Sequence, residues 1–475
     1  MNTADVPRGQ LADWLARQVR RAVAEGLLPV GSRLPATRVL AADLGVSRGV
    51  VTEAYRRLTE DGHVAGRGRG GTVVVGAPLA APAGPRATSG GSGPGGGPLF
   101  LTPPGTDVFD ALRAAPARID LSPGLPDLAA FPRAAWLRAE RSVLAELVPS
   151  DFGYGDPRGT PALRRAVARW LARSRGIAAD PDEVLVVGGT AQALGLLASV
   201  LRAAGISQVA IEDPSSLGLR QHLRVSGLQA PPVPVDARGV RVDALRATGA
   251  PAVLLTPAHQ FPTGVVLDGV RRRELTGWAG EGGLIIEDDY DAEHRYDRPP
   301  VPALRSTLPD GVAYAGSVSK LLAPALRVGW LLAPRRFHAA LVDAKRFADL
   351  GNAALPQLVL ARLMESGGLE RHLRLLRGRH RTRRDTMIDA IRTHLPGAVV
   401  HGAAAGLHLM VTLSAAHDGQ DDAELAAAAL EHGVKVQPLS WHTQLPHRPG
   451  LVLGYAASTP TDIGEGIALL GRLLR

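Results

Sequence analysis

Apolar positions recur along this chain with two periods. Leu11, Leu15, Val19, Val23 and Leu27 fall four residues apart, which predicts an amphipathic helix over roughly residues 8–27, stopped by Pro29 and Gly31. The segment GSRLPATRVLAADLGVSRGVVTEAYRRLTEDGHVAGRGRGGTVVV then predicts a short helix from Pro35 to about Leu44, ended by Gly45. Ser47 caps a second helix reaching about Asp61, with Val50, Ala54, Tyr55 and Leu58 facing inward. Helix, tight glycine turn, helix is the pattern of a helix-turn-helix. Val64 and Val73 to Val75 flank GRGRGG, which suits a β-hairpin wing with a basic tip.

From about Ile119 the pattern changes to short apolar runs separated by helical stretches. Strands are predicted at 183–187, 208–212, 231–235, 252–256, 284–287 and 312–316, the signature of a mostly parallel sheet covered on both faces. Between the two patterns, residues 76–98 hold eight glycines and five prolines in 23 positions, with almost nothing to bury, and read as a linker. A flexible coil of that length spans roughly 25 Å on average. The chain therefore divides into an N-terminal unit at 1–76, a flexible Gly/Pro-rich linker at 77–115 and a large domain at 116–475 that also dimerises.

At 475 residues, 45% of them apolar, two or more domains with a sizeable core are expected. There is no cysteine, which excludes disulfides, thiol catalysis and Cys-ligated zinc. The absence of a signal pattern and of a membrane-spanning apolar run predicts a cytoplasmic protein. A net charge of +9 is compatible with nucleic acid but is weak evidence alone. Residues 1–75 sharpen it, carrying eleven arginines against seven acids.

Of 54 basic residues only three are lysines, so Lys320, on the turn after the strand at 312–316, needs a reason. Arginine does not give up its proton to become a nucleophile, whereas a desolvated lysine does. Ser317, Ser319 and Arg327 lie close to it in sequence and suit a phosphate, although a turn with a surface lysine is the plainer alternative. Strand 183–187 runs into GGTAQALGLLASVL, a glycine turn opening a helix whose N-terminus offers free backbone donors to an anion. Ligands of such sheets sit at the carboxyl ends of the strands, where Gly189, Asp213, His259, Asp288 and Lys320 all fall. In LIIEDDYDAEHRY, Asp288 can pair with a pyridinium nitrogen and Tyr290 with a ring oxygen. The alternative is a metal site of Asp288, Asp289, Asp291 and His294. A helix-start anion site, an acid, a phenol, a lysine and an arginine together form a pyridoxal phosphate constellation.

Residues 34–58 closely resemble the winged helix of GntR-type regulators, through Leu34-Pro35, Arg38, Leu40-Ala41, Leu44-Gly45-Val46-Ser47-Arg48, Ala54-Tyr55 and Leu58. That resemblance implies DNA contacts by Arg38 and Arg48, with Arg48 at the start of the recognition helix; Ser47 beside it and Thr52 one turn along are further candidates, Thr52 to touch a base edge or phosphate. Arg67 and Arg69 in the wing would meet phosphate or the minor groove. The remainder resembles a fold-type I aminotransferase, specifically the MocR (PdxR/GabR-type) branch of the GntR regulators. YGDPRGTPALR, GGTAQAL, IEDP, TPAHQFPTG, IIEDDYDAEHRY and SVSKLLAPALRVGW carry it. It implies an α/β fold with a small C-terminal α+β subdomain. It further implies pyridoxal 5'-phosphate bound covalently by Lys320, with Asp288 on the ring nitrogen and Tyr290 on the ring hydroxyl. Thr190, Ala191, Ser317, Ser319 and Arg327 would hold the phosphate, Tyr154 would reach the partner subunit's phosphate, and His259 would bind the cofactor or pack behind it.

Three departures from the aminotransferase pattern stand out. Ser215-Ser216 replaces a pair ending in an aromatic that stacks on the ring, and Phe261 occupies the place of an asparagine. Val452 replaces the arginine that binds a substrate carboxylate, with Arg448 nearby as a substitute. The expectation is a homodimeric, head-to-tail swapped transcription regulator that binds operator DNA and senses pyridoxal phosphate or an amino compound. A transaminase with an accessory DNA-binding arm is the alternative.

Overall fold

The computed structural model describes residues 11–24, 27–66, 71–75, 99–100, 103–296 and 301–475. Arg67, Arg69 and the stretch 76–98 lie outside the described residues. The N-terminal unit comprises α1 (Leu11–Ala24), α2 (Thr37–Leu44), α3 (Arg48–Glu60), β1 (Val64–Gly66) and β2 (Thr72–Val74). Gly45 adopts φ 64° and turns α2 into α3, and the Ser47 hydroxyl accepts a hydrogen bond from Val50 N at 3.4 Å. Tyr55 donates its hydroxyl to Pro35 O at 2.9 Å, tying α3 to the entry of α2. The core takes Leu15, Val19, Val23, Val51, Ala54, Tyr55 and Leu58. Val51, not Val50, is the inward position, because a helix starting at Arg48 places 51, 54, 55 and 58 on one stripe.

The expected linker ends earlier than 115. Within that span, α4 (Val108–Ala114) buries Val108 and Leu112 beside Phe100 and Trp441, so ordered packing has begun by Phe100. The apolar spacing of this one short helix is masked in sequence by the glycine and proline around it.

In chain order the large domain continues with β3 (Ile119–Asp120), α5 (Arg133–Glu146), α6 (Pro161–Arg175), β4 (Leu185–Val187), α7 (Thr190–Ala203), β5 (Ala210–Asp213) and α8 (Leu217–Val225). Next come β6 (Pro232–Asp236), β7 (Gly239–Val240), α9 (Val242–Thr248), β8 (Ala252–Leu255), α10 (Gly269–Gly280), β9 (Leu284–Asp289), β10 (Val312–Ser317) and β11 (Gly329–Leu332). These strands form one sheet ordered β4-β11-β10-β9-β8-β5-β6-β7. β11 runs antiparallel to both β10 and β4, and β7 closes a hairpin on β6. Alternation along each strand sends Val186 to one helical layer and Leu185 and Val187 to the other, so both faces are covered.

The chain then runs through α11 (Arg335–Asp349), α12 (Ala354–Glu365) and the long α13 (Gly368–His394) to the C-terminal subdomain. That subdomain holds β12 (Val399–His401), β13 (His408–Thr412), α14 (Asp422–Glu431), β14 (Val434–Lys435), β15 (Gln437–Pro438), β16 (Gly450–Gly454) and α15 (Pro460–Leu473). Strands β12-β13-β16-β15 make an antiparallel sheet, while β14 pairs in parallel with β3, which joins the two ends of the domain. No helix among the described residues is long and apolar enough to cross a membrane.

The register of α3 is directly testable. Val51→Ala should lower the unfolding free energy of the N-terminal unit by about 2 kcal/mol, through lost burial and a cavity. Val50→Ala, at a half-buried position, should cost less than about 1 kcal/mol. Denaturant unfolding of the two variants measures the difference, and equal costs would contradict the register.

Candidate functional site

Strand alternation divides the acids of β9. Asp289 turns to the α6 face, where it pairs with the buried Arg175 and accepts a hydrogen bond from Tyr314. Asp288 turns to the α7 face, where the Thr190 hydroxyl donates to it at 3.2 Å. Asp291 accepts from His259 Nδ1 at 2.9 Å, and His294 Nε2 lies 3.2 Å from Lys320 O. The four side chains weighed as a metal set therefore point four ways and do not converge. His259, Asp291 and His408 do bring ligating atoms within 4.8 Å of one another. All three groups are already engaged, His259 with Asp291 and His408 with the Pro262 carbonyl at 3.2 Å.

The anion end of the cleft is built by close backbone packing. Ser317 at the end of β10 lies opposite Gly329 on β11. A Cβ on Gly329 would stand 3.0 Å from Gly189 Cα and 3.1 Å from Ser317 Cβ, so only glycine lets the turn before α7 meet β10 here. Gln192 and Ala193 N–H both bond back to Gly189 O, which leaves the amides of Thr190 and Ala191 at the open helix start. Arg327 holds a left-handed backbone, φ 51°, and brings its guanidinium over the same turn, 3.3 Å from where a Gly189 Cβ would lie. Ser319 N donates to Ser317 Oγ at 3.4 Å. Helix amides, a guanidinium and the Ser317 hydroxyl thus share one end of the cleft, with Ser319 beside them.

Lys320 follows this turn, and its amine donates to the carbonyl of Gly124. A Cβ at Gly124 would come within 3.3 Å of that amine, so the glycine gives it room. Sequence reasoning missed Gly124, because a carbonyl contact leaves no mark in side-chain identity. Burial lowers the Lys320 amine below the ordinary lysine range, partly opposed by Asp291 and Asp288. Burial likewise pushes the Asp288 carboxyl up to about 7, against the hydrogen bond from Thr190. Tyr290 donates its hydroxyl to His259 O at 3.1 Å and sits 3.1 Å from His259 Nδ1, and burial raises its phenol well above the usual range.

The three remaining expected residues differ in placement. Asp213 accepts from Gln444 N at 2.7 Å and Leu445 N at 3.1 Å, so it fastens the C-terminal subdomain rather than facing the cleft. His259 is only 1% exposed and supports Tyr290 and Asp291 from behind. Tyr154 is 95% exposed and touches no part of the cleft within its own chain. On the DNA-binding side, Arg38, Ser47, Arg48 and Thr52 are all exposed around the start of α3.

The Asp288 shift carries a pH dependence. A folded-state value above the unfolded one means that Asp288 favours folding at low pH, and this contribution is lost as pH rises from about 4 through about 7. In the cofactor-free protein, Asp288→Asn should therefore flatten the decline of unfolding free energy over that window. The change should reach at most about 1.4 kcal/mol per pH unit. Glu212 and Glu287, also raised to about 7 by burial, should keep part of the slope in the variant. Denaturant titrations at pH 5, 6, 7 and 8 measure it, and an unchanged slope would contradict the placement of Asp288.

Residues 117–467 match the aminotransferase class I and II family, and residues 11–74 match the bacterial regulatory proteins of the gntR family. The chain is 31% identical over 478 residues to the probable rhizopine catabolism regulatory protein MocR of Rhizobium meliloti, across 98% of this chain and 93% of that protein. It is 32% identical over 400 residues to the HTH-type pyridoxine biosynthesis transcriptional regulator PdxR of Corynebacterium glutamicum, across 84% and 82%. The crystal structure of LysN, the α-aminoadipate aminotransferase of Thermus thermophilus complexed with N-(5'-phosphopyridoxyl)-L-leucine, is similar with a TM-score of 0.69 and 28% identity. That likeness covers 78% of this chain and 94% of LysN. Family and fold imply pyridoxal phosphate, and the cleft fits it: an anion cradle over Gly189, a buried carboxyl at Asp288 and an amine at Lys320. The chain belongs to the aminotransferase class I and II family and carries a gntR-family DNA-binding domain ahead of it, the architecture of the MocR-type regulators.

Proposed function

We propose that this chain is a cytoplasmic transcription regulator that reads operator DNA through α3 and senses pyridoxal phosphate, or an amino compound meeting it, in the cleft around Lys320. The observation that carries the reading is the pairing of that cleft with an exposed, arginine-bearing recognition helix in one chain. Arg48 stands at the N-terminal end of α3, where a recognition helix enters the major groove, and Arg38 and Thr52 flank it. Arg67 and Arg69 would extend the contact from the wing to phosphate or the minor groove.

Bound pyridoxal phosphate supplies an electrophilic aldehyde carbon and an electron-withdrawing ring. The protein's own part follows from its residues. Arg327, Ser317, Ser319 and the amides of Thr190 and Ala191 would hold the phosphate. Asp288 would face the ring nitrogen and Tyr290 the ring hydroxyl, with His259 steadying the phenol. Burial favours the neutral, nucleophilic form of the Lys320 amine.

Binding, rather than turnover, is supported by the far side of the cleft. Val452 lies fully buried against Met410 and Leu439, with Phe261 packed on them, where an aminotransferase would place its carboxylate-binding arginine. Arg448 does not substitute, because its guanidinium is held by Asp418 at 2.9 Å and by Leu413 O at 3.2 Å. Without a bidentate guanidinium, an α-carboxylate has no strong orienting partner there, which weakens the transaminase reading.

A homodimer fits the surface. Phe152, Tyr154, Phe347 and Leu350 are exposed apolar side chains on one side of the domain, beside a groove lined by Tyr154, Leu350 and Asn352. A second copy covering them would bring Tyr154 toward its partner's phosphate end, and a linker of about 25 Å would allow head-to-tail exchange of the DNA-binding units.

Gel shifts on the DNA upstream of the protein's own gene test the reading. Wild type should give a discrete complex whose affinity changes when pyridoxal phosphate is added, and Arg48→Ala should weaken that complex by about tenfold or more. Equal binding by Arg48→Ala, or steady transamination of a common amino acid by wild type, would overturn it.

A further inference from the structure

The three lysines of this chain are all at least partly buried, and only Lys320 belongs to the cofactor reading. Lys345, on α11, has a side chain with no exposed surface, and its ammonium donates to three acceptors. These are Gln192 Oε1 at 2.9 Å, Asp349 Oδ2 at 2.6 Å and Asn352 Oδ1 at 2.6 Å. An ammonium carries three donors in a compact tetrahedral array, so all three are used. A guanidinium spreads its donors over three nitrogens in one plane and cannot aim them from a single atom, which suits a lysine to this point in a chain that otherwise favours arginine.

Each acceptor passes the constraint on to the anion end of the cleft. Gln192 Oε1 also accepts Gly188 N at 2.7 Å, fixing the glycine turn that opens α7. Asn352 Nδ2 donates to Arg327 O at 3.0 Å, fixing the left-handed residue whose guanidinium overhangs that turn. Asp349 closes the hub, accepting from Gln192 Nε2 at 2.7 Å and from Gly351 N at 2.9 Å. The two halves of the cradle lie far apart in sequence, at 188–191 and at 327, and this buried amine connects them through one hydrogen-bonded hub.

We infer that Lys345 is the positioning residue of the phosphate cradle, holding the turn before α7 and the backbone of Arg327 in mutual register without touching the ligand. The inference rests on the proposed binding of pyridoxal phosphate in this cleft. It predicts a loss confined to the phosphate: ligands that carry one bind more weakly when Lys345 is removed, whereas the amine of Lys320 keeps its reactivity.

The test compares pyridoxal phosphate with pyridoxal, which lacks the phosphate, by titrating the visible absorption band each develops with the full-length protein. Lys345→Met should weaken pyridoxal phosphate by about tenfold or more, equivalent to ~1.4 kcal/mol, and change pyridoxal less than about twofold. An unchanged affinity for pyridoxal phosphate, or equal losses for both ligands, would overturn the inference, the second showing a general structural role. Should Lys345→Met fail to fold, Asn352→Ala removes one of the three acceptors of the ammonium together with the link to Arg327, and it must show the same phosphate-specific loss or the inference fails. A wild-type protein that develops no band with either ligand would instead overturn the cofactor reading itself.

Discussion

A buried amine and a buried carboxyl share one cleft at the carboxyl ends of the large sheet, and the rest of the structure serves that arrangement. Each group is shifted toward its neutral form by burial, Lys320 downward and Asp288 up to about 7. Neither would be tolerated in a core that merely packed, because unpaired buried charge is costly. The fold offsets that cost locally, with Gly124 O receiving the lysine and the Thr190 hydroxyl meeting the carboxyl. A ligand carrying a basic ring nitrogen and an aldehyde would satisfy both groups, which is why the cleft reads as a cofactor site rather than as a strained core.

The second constraint is the joining of that cleft to a DNA reader within one chain. The N-terminal unit has its own core, with Val51, Ala54 and Leu58 buried, so it can fold as a unit. Any regulation must come from a ligand that binds two arrangements of these units with different affinity, since equal affinity shifts nothing. In the proposed reading, the cleft would supply that differential chemistry and the exposed start of α3 the output.

Much of this was legible in the sequence. The strands predicted at 252–256, 284–287 and 312–316 match β8, β9 and β10 within two residues, because buried parallel strands are short uninterrupted apolar runs. Lys320 and Asp288 stand out in the sequence because position at a strand end and rarity of residue type are sequence properties. Other features were not legible. Val50 and Val51 are both apolar neighbours, and only the start of the helix decides which faces inward. The direction of β11 depends on the turn through Arg327, which periodicity does not report. Asp213 lies at a strand end like Asp288, but its partners come from 444 and 445, a contact more than two hundred residues away. Lys345 shares the rarity that singled out Lys320, yet its meaning lies in Gln192 and Asn352, which only folding brings to it.

The presence of only three lysines makes the central claim unusually direct to test. The protein is incubated with pyridoxal phosphate, reduced with borohydride and digested, and the modified peptide is located by mass spectrometry. The account predicts one phosphopyridoxyl group, on Lys320. A label on Lys345 or Lys435 instead, or no label on any lysine, would contradict it.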